Sequence, residues 1–161
     1  MLAALENTLT IGLGSAVIAT LIGLLASVGI DAMKKRSYSL TLGFGNIPML
    51  NADIVTGIAL MLWFSRFTDL GYVSILLAHV TFNIPYVVLC ILPKLQQMDI
   101  SVYEAARDLG AGSVTAFIRV VLPNIFPAVI SGFFMAMTMS MDDFVVTYFT
   151  KGAGINTLST M

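Results

Sequence analysis

Three acidic residues lie within or beside long apolar stretches of this chain, which has 161 residues, 58% of them hydrophobic and 11% charged. Asp53 stands inside one such stretch, and Asp142 and Asp143 are adjacent at the end of another. A carboxylate inside a bilayer costs roughly 3 kcal/mol or more on insertion scales, so Asp53 is expected to face a cavity or a partner. Part of a path for a cationic substrate is one interpretation of Asp53. Two alternatives stay open: Asp53 bonds backbone amides at a helix break near Pro48 and Asn51, and the adjacent pair is a solvated helix end.

Another apolar stretch carries His79, Asn83 and Pro85. A proline inside a helix frees a backbone carbonyl, and Asn83 is predicted to satisfy it. For His79 we favour a hydrogen bond between helices over a role in a proton relay. With one histidine and one cysteine in the chain, neither a metal cluster nor a nucleophile–base pair is expected, so no cofactor is predicted.

The elements that position these residues are predicted to be membrane-spanning helices, because the mean hydropathy of +0.93 is that of a chain solvated by lipid. A bilayer core about 30 Å thick requires roughly 20 mostly apolar helical residues. The first stretch is too long for a signal peptide and lacks its basic start, so it is a true span. Four stretches qualify, at 9–30, 47–67, 72–92 and 120–141. The sequence therefore predicts an all-α membrane protein, and the net charge of −1 gives no sign of a nucleic-acid partner.

Basic residues orient the spans. Six lie in the two long loops between spans one and two and between spans three and four, whereas only Arg66 and Lys151 lie on the other side. The excess of basic residues places both long loops in the cytoplasm and both chain ends outside. An outer amino end without a signal peptide predicts one further span before residue 1 and at least one after residue 161, so the chain is expected to be a fragment.

Small residues recur every four positions in the first span, at Ser15, Ala19, Gly23 and Ser27. Such a stripe lets another helix approach closely in lipid. Incidental use of small residues is an equally good interpretation.

The loop at 97–119 interrupts the apolar chain with a polar insert. Ser101 followed by Glu104 is a capping box, which predicts a helix starting there and running to Leu109. Gly110 is predicted to end that helix in the left-handed conformation, and Ser113 to cap a second short helix. The insert is therefore expected to be a helix–turn–helix.

One face of the first insert helix is predicted to carry Val102, Ala106 and Leu109, and the second helix is predicted to end before Pro123. An amphipathic connector lying on lipid headgroups is usually rich in lysine and bulky apolar residues. This insert has paired alanines and acids instead, so docking into a groove of another protein is favoured.

The spacing of the insert resembles the "EAA" loop of the permease subunits of ABC importers, with Val120 where that family usually has isoleucine. In that family the loop supplies a coupling helix that docks on the ATPase subunit. The resemblance implies that the coupling contact is formed by Glu104, Ala105, Ala106, Gly110, Leu122 and Pro123.

Similarity extends from Leu5 to Met161 and is greatest to the spermidine/putrescine branch, in its second permease subunit. The segments Pro48 to Val55, Ala78 to Val88 and Ser140 to Val146 carry this resemblance. That branch often has Ser-Pro where this chain has Asn51-Ala52. The resemblance implies the type I importer fold with six spans, of which this chain has the middle four. It also implies that Asp53, Asp142 and Asp143 line the substrate path.

By this resemblance the chain is expected to be a bacterial inner-membrane permease subunit that takes up polyamines. Its expected partners are two copies of an ATPase, a second permease, an external substrate-binding protein and the lipid bilayer. The chain itself has no phosphate-binding loop and is not expected to be an enzyme. The alternatives are a permease for another small substrate, an ion-driven secondary transporter that uses Asp53 and His79, and a membrane-embedded enzyme.

Overall fold

The structure, a computed structural model, describes residues 2–33, 35–50, 53–66, 71–151, 157 and 160, and every regular element within these ranges is helical. The all-α prediction is therefore confirmed. The helices are α1 (Leu2–Asp31), α2 (Lys35–Leu50), α3 (Asp53–Phe64), α4 (Tyr72–Gln96), α5 (Ile100–Asp108), α6 (Ser113–Ala116), α7 (Leu122–Asp142) and α8 (Phe144–Thr150), with a π-helical segment at Phe117–Val121 between α6 and α7.

Three helical stretches in the described ranges are long and apolar enough to cross a membrane: Ala4–Asp31, Tyr72–Gln96 and Ser113–Asp142. They contain the predicted first, third and fourth spans. The third of them runs on from the loop through α6, the π segment and α7 without a break. The second insert helix, α6, ends before Pro123 as predicted, but the π-helical segment joins it to α7 without a break, and Pro123 lies in the first turn of α7.

The predicted second span, at 47–67, has a different form in the structure. Helix α2 ends at Leu50 and α3 begins at Asp53. Residues 51 and 52 lie outside the described part of the chain, as do residues 67–70. The apolar part of α3, Ile54–Phe64, is shorter than a membrane-crossing helix. A full second span stays a prediction.

Helices α1, α4 and α7 form the centre of the molecule. A Cβ built on Gly14 would lie 3.5 Å from Leu76, and one built on Gly23 would lie 2.6 Å from Val87, so α1 and α4 run in the same direction. A Cβ on Gly132 of α7 would lie 3.3 Å from Val87. The buried apolar side chains of this centre are Ala16, Val87, Ile91, Leu95, Val121, Ile125 and Ala136.

The small-residue stripe of α1 faces this centre. Ser15, Ala19 and Ser27 are fully buried, and Gly23 is buried as well. The opposite side of the same helix exposes large apolar side chains, including Leu21 and Leu25. The stripe therefore serves close approach of α1 to α4 and α7, which decides between the two interpretations of the pattern.

We expect Gly23→Ala to destabilise the protein by about 1–3 kcal/mol, since a Cβ 2.6 Å from the Val87 Cγ1 atom forces α1 and α4 apart. Gly29→Ala is the matched control, because a Cβ at Gly29 in the same helix meets no atom within 4 Å. Thermal unfolding of the detergent-solubilised protein checks the difference. Equal melting temperatures for the two variants would contradict the packing described here.

Candidate functional site

Helix α5 begins two residues earlier than the capping pattern predicted. Asp99, not Ser101, is its cap: the Asp99 carboxylate accepts a hydrogen bond from the Ser101 backbone N–H at 3.0 Å. That backbone hydrogen bond lowers the pKa of Asp99, since it favours the charged form. The capping box assigned to Ser101 and Glu104 is therefore wrong. Glu104 is left on the exposed side of the helix.

The turn after α5 has the predicted geometry. Gly110 has a φ of +87°, the left-handed conformation that glycine adopts readily. The Ala111 N–H then donates to the Ala106 carbonyl at 3.1 Å. Across the turn, the Arg107 guanidinium donates to the Ser113 hydroxyl. Ser113 thus closes the turn rather than capping α6, whose cap position is Gly112. We call α5, α6 and this turn the inner hairpin.

One side of the inner hairpin holds it to the helix bundle. Tyr103 and Phe117 pack against the buried cluster that contains Leu95 and Val121. A cavity of about 680 Å³ lies between the hairpin and the ends of α1 and α4, and Glu104 borders it. The hairpin is therefore anchored by aromatic packing rather than hanging from two flexible linkers.

The inner hairpin also has an exposed apolar surface, which includes Val114 at the border of the same cavity. Leu109 is 90% exposed and Val114 is 71% exposed, and Val102 and Ile118 are about half exposed. Of the face predicted from the sequence, Val102 and Leu109 lie on this outer surface, whereas Ala106 is half-buried. Exposed apolar side chains grouped in this way are typical of a surface that binds another protein.

The π segment joins the hairpin to α7. The Leu122 N–H donates to the Phe117 carbonyl, five residues back, as a π turn requires. Asn124 supplements the backbone pattern next to Pro123, because its side-chain amide donates to the Val120 carbonyl at 3.0 Å. The helix is thus continuous past a proline, and Leu122 and Pro123 lie where the hairpin meets the bundle.

At the other end of α7, the two adjacent acids have different surroundings. Asp142 is exposed. One carboxylate oxygen of Asp143 accepts from the Val146 N–H at 2.9 Å, and its carbonyl accepts from the Thr147 hydroxyl at 2.7 Å. Asp143 is therefore the N-cap of α8, and Asp142 is the acid directed to the surroundings.

A buried chain of hydrogen bonds connects four helices near this point. His79 of α4 bonds through Nε2 to the Thr147 hydroxyl and through Nδ1 to the Ser140 hydroxyl, each at 2.9 Å. Ser140 also bonds to the Ser15 hydroxyl at 2.9 Å. All four side chains are at least 94% buried. The preference for an interhelical role of His79 is confirmed, and we call this set the polar network.

Asn83 lies one turn from His79 on the same helix and is fully buried. Neither its amide nitrogen nor its amide oxygen has a hydrogen-bond partner in the part of the chain that the structure describes. The prediction that Asn83 satisfies a carbonyl freed by Pro85 is therefore wrong. Helix α4 nevertheless continues through Pro85 to Gln96.

Asp53 is the first residue of α3, and its side chain lies outside the described part of the structure. One turn further on, a Cβ on Gly57 would lie 3.1 Å from Phe149 and 3.6 Å from the Val145 carbonyl of α8. Helix α3 therefore packs against α8, the helix that follows Asp142 and Asp143.

Within the described ranges, no three histidine, cysteine, aspartate or glutamate side chains are grouped in a way that could hold a metal ion. The chemistry available at the end of the bundle that carries Asp142 is therefore that of carboxylates, hydroxyls and aromatic rings. At the hairpin end it is that of exposed apolar side chains edged by acids.

The chain is similar in sequence to known membrane transport proteins. Residues 19–160 match the family described as binding-protein-dependent transport system inner membrane component. The chain is 37% identical over 153 residues to the spermidine/putrescine transport system permease protein PotC of Escherichia coli strain K12, covering 94% of this chain and 58% of that protein. It is also 37% identical over 166 residues to the putrescine transport system permease protein PotI of the same strain, covering 98% of this chain and 59% of that protein.

Among solved structures, the chain resembles an amino acid ABC transporter crystallised with histidines, with a TM-score of 0.63 and 21% identity over 86% of this chain and 68% of the other. This likeness supports the fold. The chain spans about three fifths of the length of the curated relatives it matches.

Two substitutions one turn apart in α4 test the polar network. We expect His79→Leu to lower stability by about 0.5–2 kcal/mol, because it removes two interhelical hydrogen bonds. Asn83→Leu is the matched control and is expected to be neutral or stabilising, since it replaces a buried amide that has no partner in the described residues. Melting temperatures of the solubilised variants give the comparison. A larger loss in Asn83→Leu than in His79→Leu would contradict these assignments.

Proposed function

The chain belongs to the family of binding-protein-dependent transport system inner membrane components, and from that membership we propose that it forms part of the permease of an ATP-driven polyamine importer. The relatives named above support the substrate class, because they are described as spermidine/putrescine and putrescine permeases. The family is a transport component, so the chemistry of ATP hydrolysis is assigned to a separate ATPase. A second permease subunit and an external binding protein complete the proposed assembly.

The observation that carries this proposal is the inner hairpin. It presents Leu109 and Val114 to the outside while Tyr103 and Phe117 hold it against the bundle. A surface that is apolar, exposed and firmly anchored is suited to receive a partner and to pass on its motion. We assign the docking contact to Glu104, Ala105, Ala106 and Gly110, with Leu122 and Pro123 at the junction with α7.

The proposed mechanism follows from thermodynamic linkage. A partner that binds the hairpin differently in its ATP-closed and open forms shifts the equilibrium between two arrangements of the bundle, and only that difference in affinity can do so. Helix continuity from Ser113 to Asp142 connects the hairpin to the acidic end. Displacement of the hairpin therefore changes the position or exposure of Asp142 relative to α3 and α4.

The charge of the acidic residues supports a cationic substrate. Polyamines are polycations, and carboxylates along a membrane path lower the cost of desolvating each ammonium. Asp142 is exposed, and Asp53 begins the helix that packs on α8. We propose that Asp53 and Asp142 face the path directly, whereas Asp143 holds α8 in place.

The alternative is an ion-driven secondary transporter, and an experiment must distinguish it from an ATP-driven importer. It would use buried ionisable groups to bind the coupling ion. His79 is instead engaged at both ring nitrogens by hydroxyls that join α4 to α7 and α8. Uptake that needs a co-expressed ATPase and stops when its nucleotide site is inactivated supports the importer; uptake by the full-length permease without any ATPase contradicts it.

We expect Glu104→Lys to abolish polyamine uptake while the protein still inserts in the membrane, because the substitution reverses a charge at the proposed docking surface. Gln97→Lys is the control, since Gln97 is also exposed at this end but lies outside the hairpin. Uptake of labelled spermidine, with membrane content measured by immunoblot, checks both variants. Normal uptake by the Glu104 variant would refute the coupling role.

The two adjacent acids are expected to respond differently to amidation. Asp142→Asn should raise the KM for polyamine uptake several-fold, because it removes an exposed charge. Asp143→Asn should change KM less, since asparagine caps helices as well as aspartate does. Uptake kinetics with spermidine and putrescine measure this. Unchanged kinetics in Asp142→Asn would demote that carboxylate to a solvated helix end.

A further inference from the structure

Helix α8 has two dissimilar sides. Val146, Thr147 and Thr150 are buried, and the Ser74 hydroxyl donates to the Thr150 carbonyl at 2.9 Å. The opposite side carries Phe144 and Tyr148, which are 49% and 53% exposed. The helix is therefore firmly held with two aromatic rings turned outward.

These two rings form one continuous aromatic surface. Their centroids are 5.5 Å apart and their planes differ by 26°, so they are stacked. The Phe149 ring meets Tyr148 edge-on, with centroids 5.6 Å apart, and fixes its orientation from the buried side. We call Phe144 and Tyr148 the aromatic face of α8.

An ammonium group already lies on this surface. The Lys151 Nζ is 5.5 Å from the centroid of the Tyr148 ring, which is within the range of a cation–π contact. A lysine side chain is a butylammonium group on a backbone, so in chemical terms it is one end of a diamine. The geometry shows that the Tyr148 ring accepts an alkylammonium.

A second group of the right charge lies close by in the chain. Asp142 is exposed and directly precedes Asp143, the cap of α8, six residues before Tyr148 in the chain. A carboxylate and an aromatic face separated by a few residues of chain suit a molecule with cationic groups spaced along a methylene chain.

We propose that the aromatic face of α8 is a binding site for an ammonium group of the substrate, and that Lys151 occupies it as an internal competitor until substrate displaces it. This inference rests on the proposed polyamine transport and adds the site and its occupant. Asp142 then holds a second ammonium group of the same molecule. Displacement of Lys151 makes binding selective for molecules with at least two cationic groups, since a single ammonium only replaces the one already present.

An aromatic residue beside a lysine is also typical of an anchor at the membrane–water interface. In an anchor, however, lysine extends its ammonium into water or towards headgroups. Here the Lys151 ammonium lies over the ring instead. The position of the charge therefore favours cation recognition, and an anchor is the outcome that the test must exclude.

The test measures KM and Vmax for putrescine uptake by the full-length protein with its partner subunits. Tyr148→Leu is expected to raise KM roughly three- to fivefold, as for loss of an exposed cation–π contact. Tyr148→Phe should keep KM near that of the wild type, because the ring remains. Lys151→Gln should lower KM by a similar factor, since the competitor is removed, and Lys151→Arg should leave KM unchanged.

A double variant separates occupation of the ring from simple charge repulsion. If Lys151 acts by covering Tyr148, Lys151→Gln has no effect on KM in the Tyr148→Leu background. If Lys151 only repels the substrate, the same fold decrease appears in both backgrounds, and the competitor role is overturned.

Tyr72→Leu is the matched control for a membrane anchor, because Tyr72 is an exposed tyrosine at the outer end of α4. If Tyr148→Leu and Tyr72→Leu change membrane content equally and leave KM alone, α8 carries an anchor and the ammonium site is overturned. Should the wild-type assembly import no amine, the proposed function fails first and the site falls with it. Amine uptake that is indifferent to Tyr148 and Lys151 overturns the site alone.

Discussion

Close contact between backbones is the constraint on which the rest of this structure depends. In lipid no hydrophobic force drives helices together, so association relies on packing and on hydrogen bonds between helices. Gly23 and Gly132 let α1 and α7 approach Val87 of α4 from two sides. The polar network ties the same three helices together near the end of α7. Small residues and a few buried hydroxyls thus hold together the bundle to which the hairpin and the acidic end are attached.

One continuous helix connects the hairpin to the end of the bundle that carries Asp142. The stretch Ser113–Asp142 is one helix of 30 residues, about 45 Å long. Its inner end belongs to the hairpin and its outer end carries the exposed acid. Tyr103 and Phe117 fix the hairpin to the buried cluster, and His79 fixes the outer end through Ser140. In the proposed mechanism, displacement of the hairpin moves this helix along its length, and the polar network is where the helix is joined to α4 and α8.

Much of this was predictable from the sequence, because it depends on local patterns. The apolar stretches marked three spans and Gly110 marked the turn, whereas the stripe from Ser15 to Ser27 left a helix contact and incidental use of small residues equally open. The cap of α5 was misplaced because Asp99 and Ser101 are both good caps and lie two residues apart. The hydrogen-bond partners of His79 could not be predicted, since Ser140 and Thr147 lie more than 60 residues away in the chain. The prediction for Asn83 was wrong because a proline in a helix leaves a backbone carbonyl without its donor, and a nearby asparagine is an obvious candidate to replace that donor. The sequence does not show in which direction the Asn83 amide points. The two acids before α8 look equivalent in the sequence, and only the hydrogen bond to Val146 separates a cap from an exposed charge.

Direct contact between the inner hairpin and an ATPase is the central claim, and site-specific crosslinking tests it most directly. Cys90 is the one cysteine of this sequence, so Cys90→Ser combined with Leu109→Cys leaves one thiol within residues 1–161, at the hairpin tip. In the assembled full-length transporter this thiol is predicted to crosslink to the ATPase subunit, with a yield that changes when nucleotide binds. Crosslinks to lipid alone, or a yield to the ATPase that nucleotide does not alter, would contradict the account.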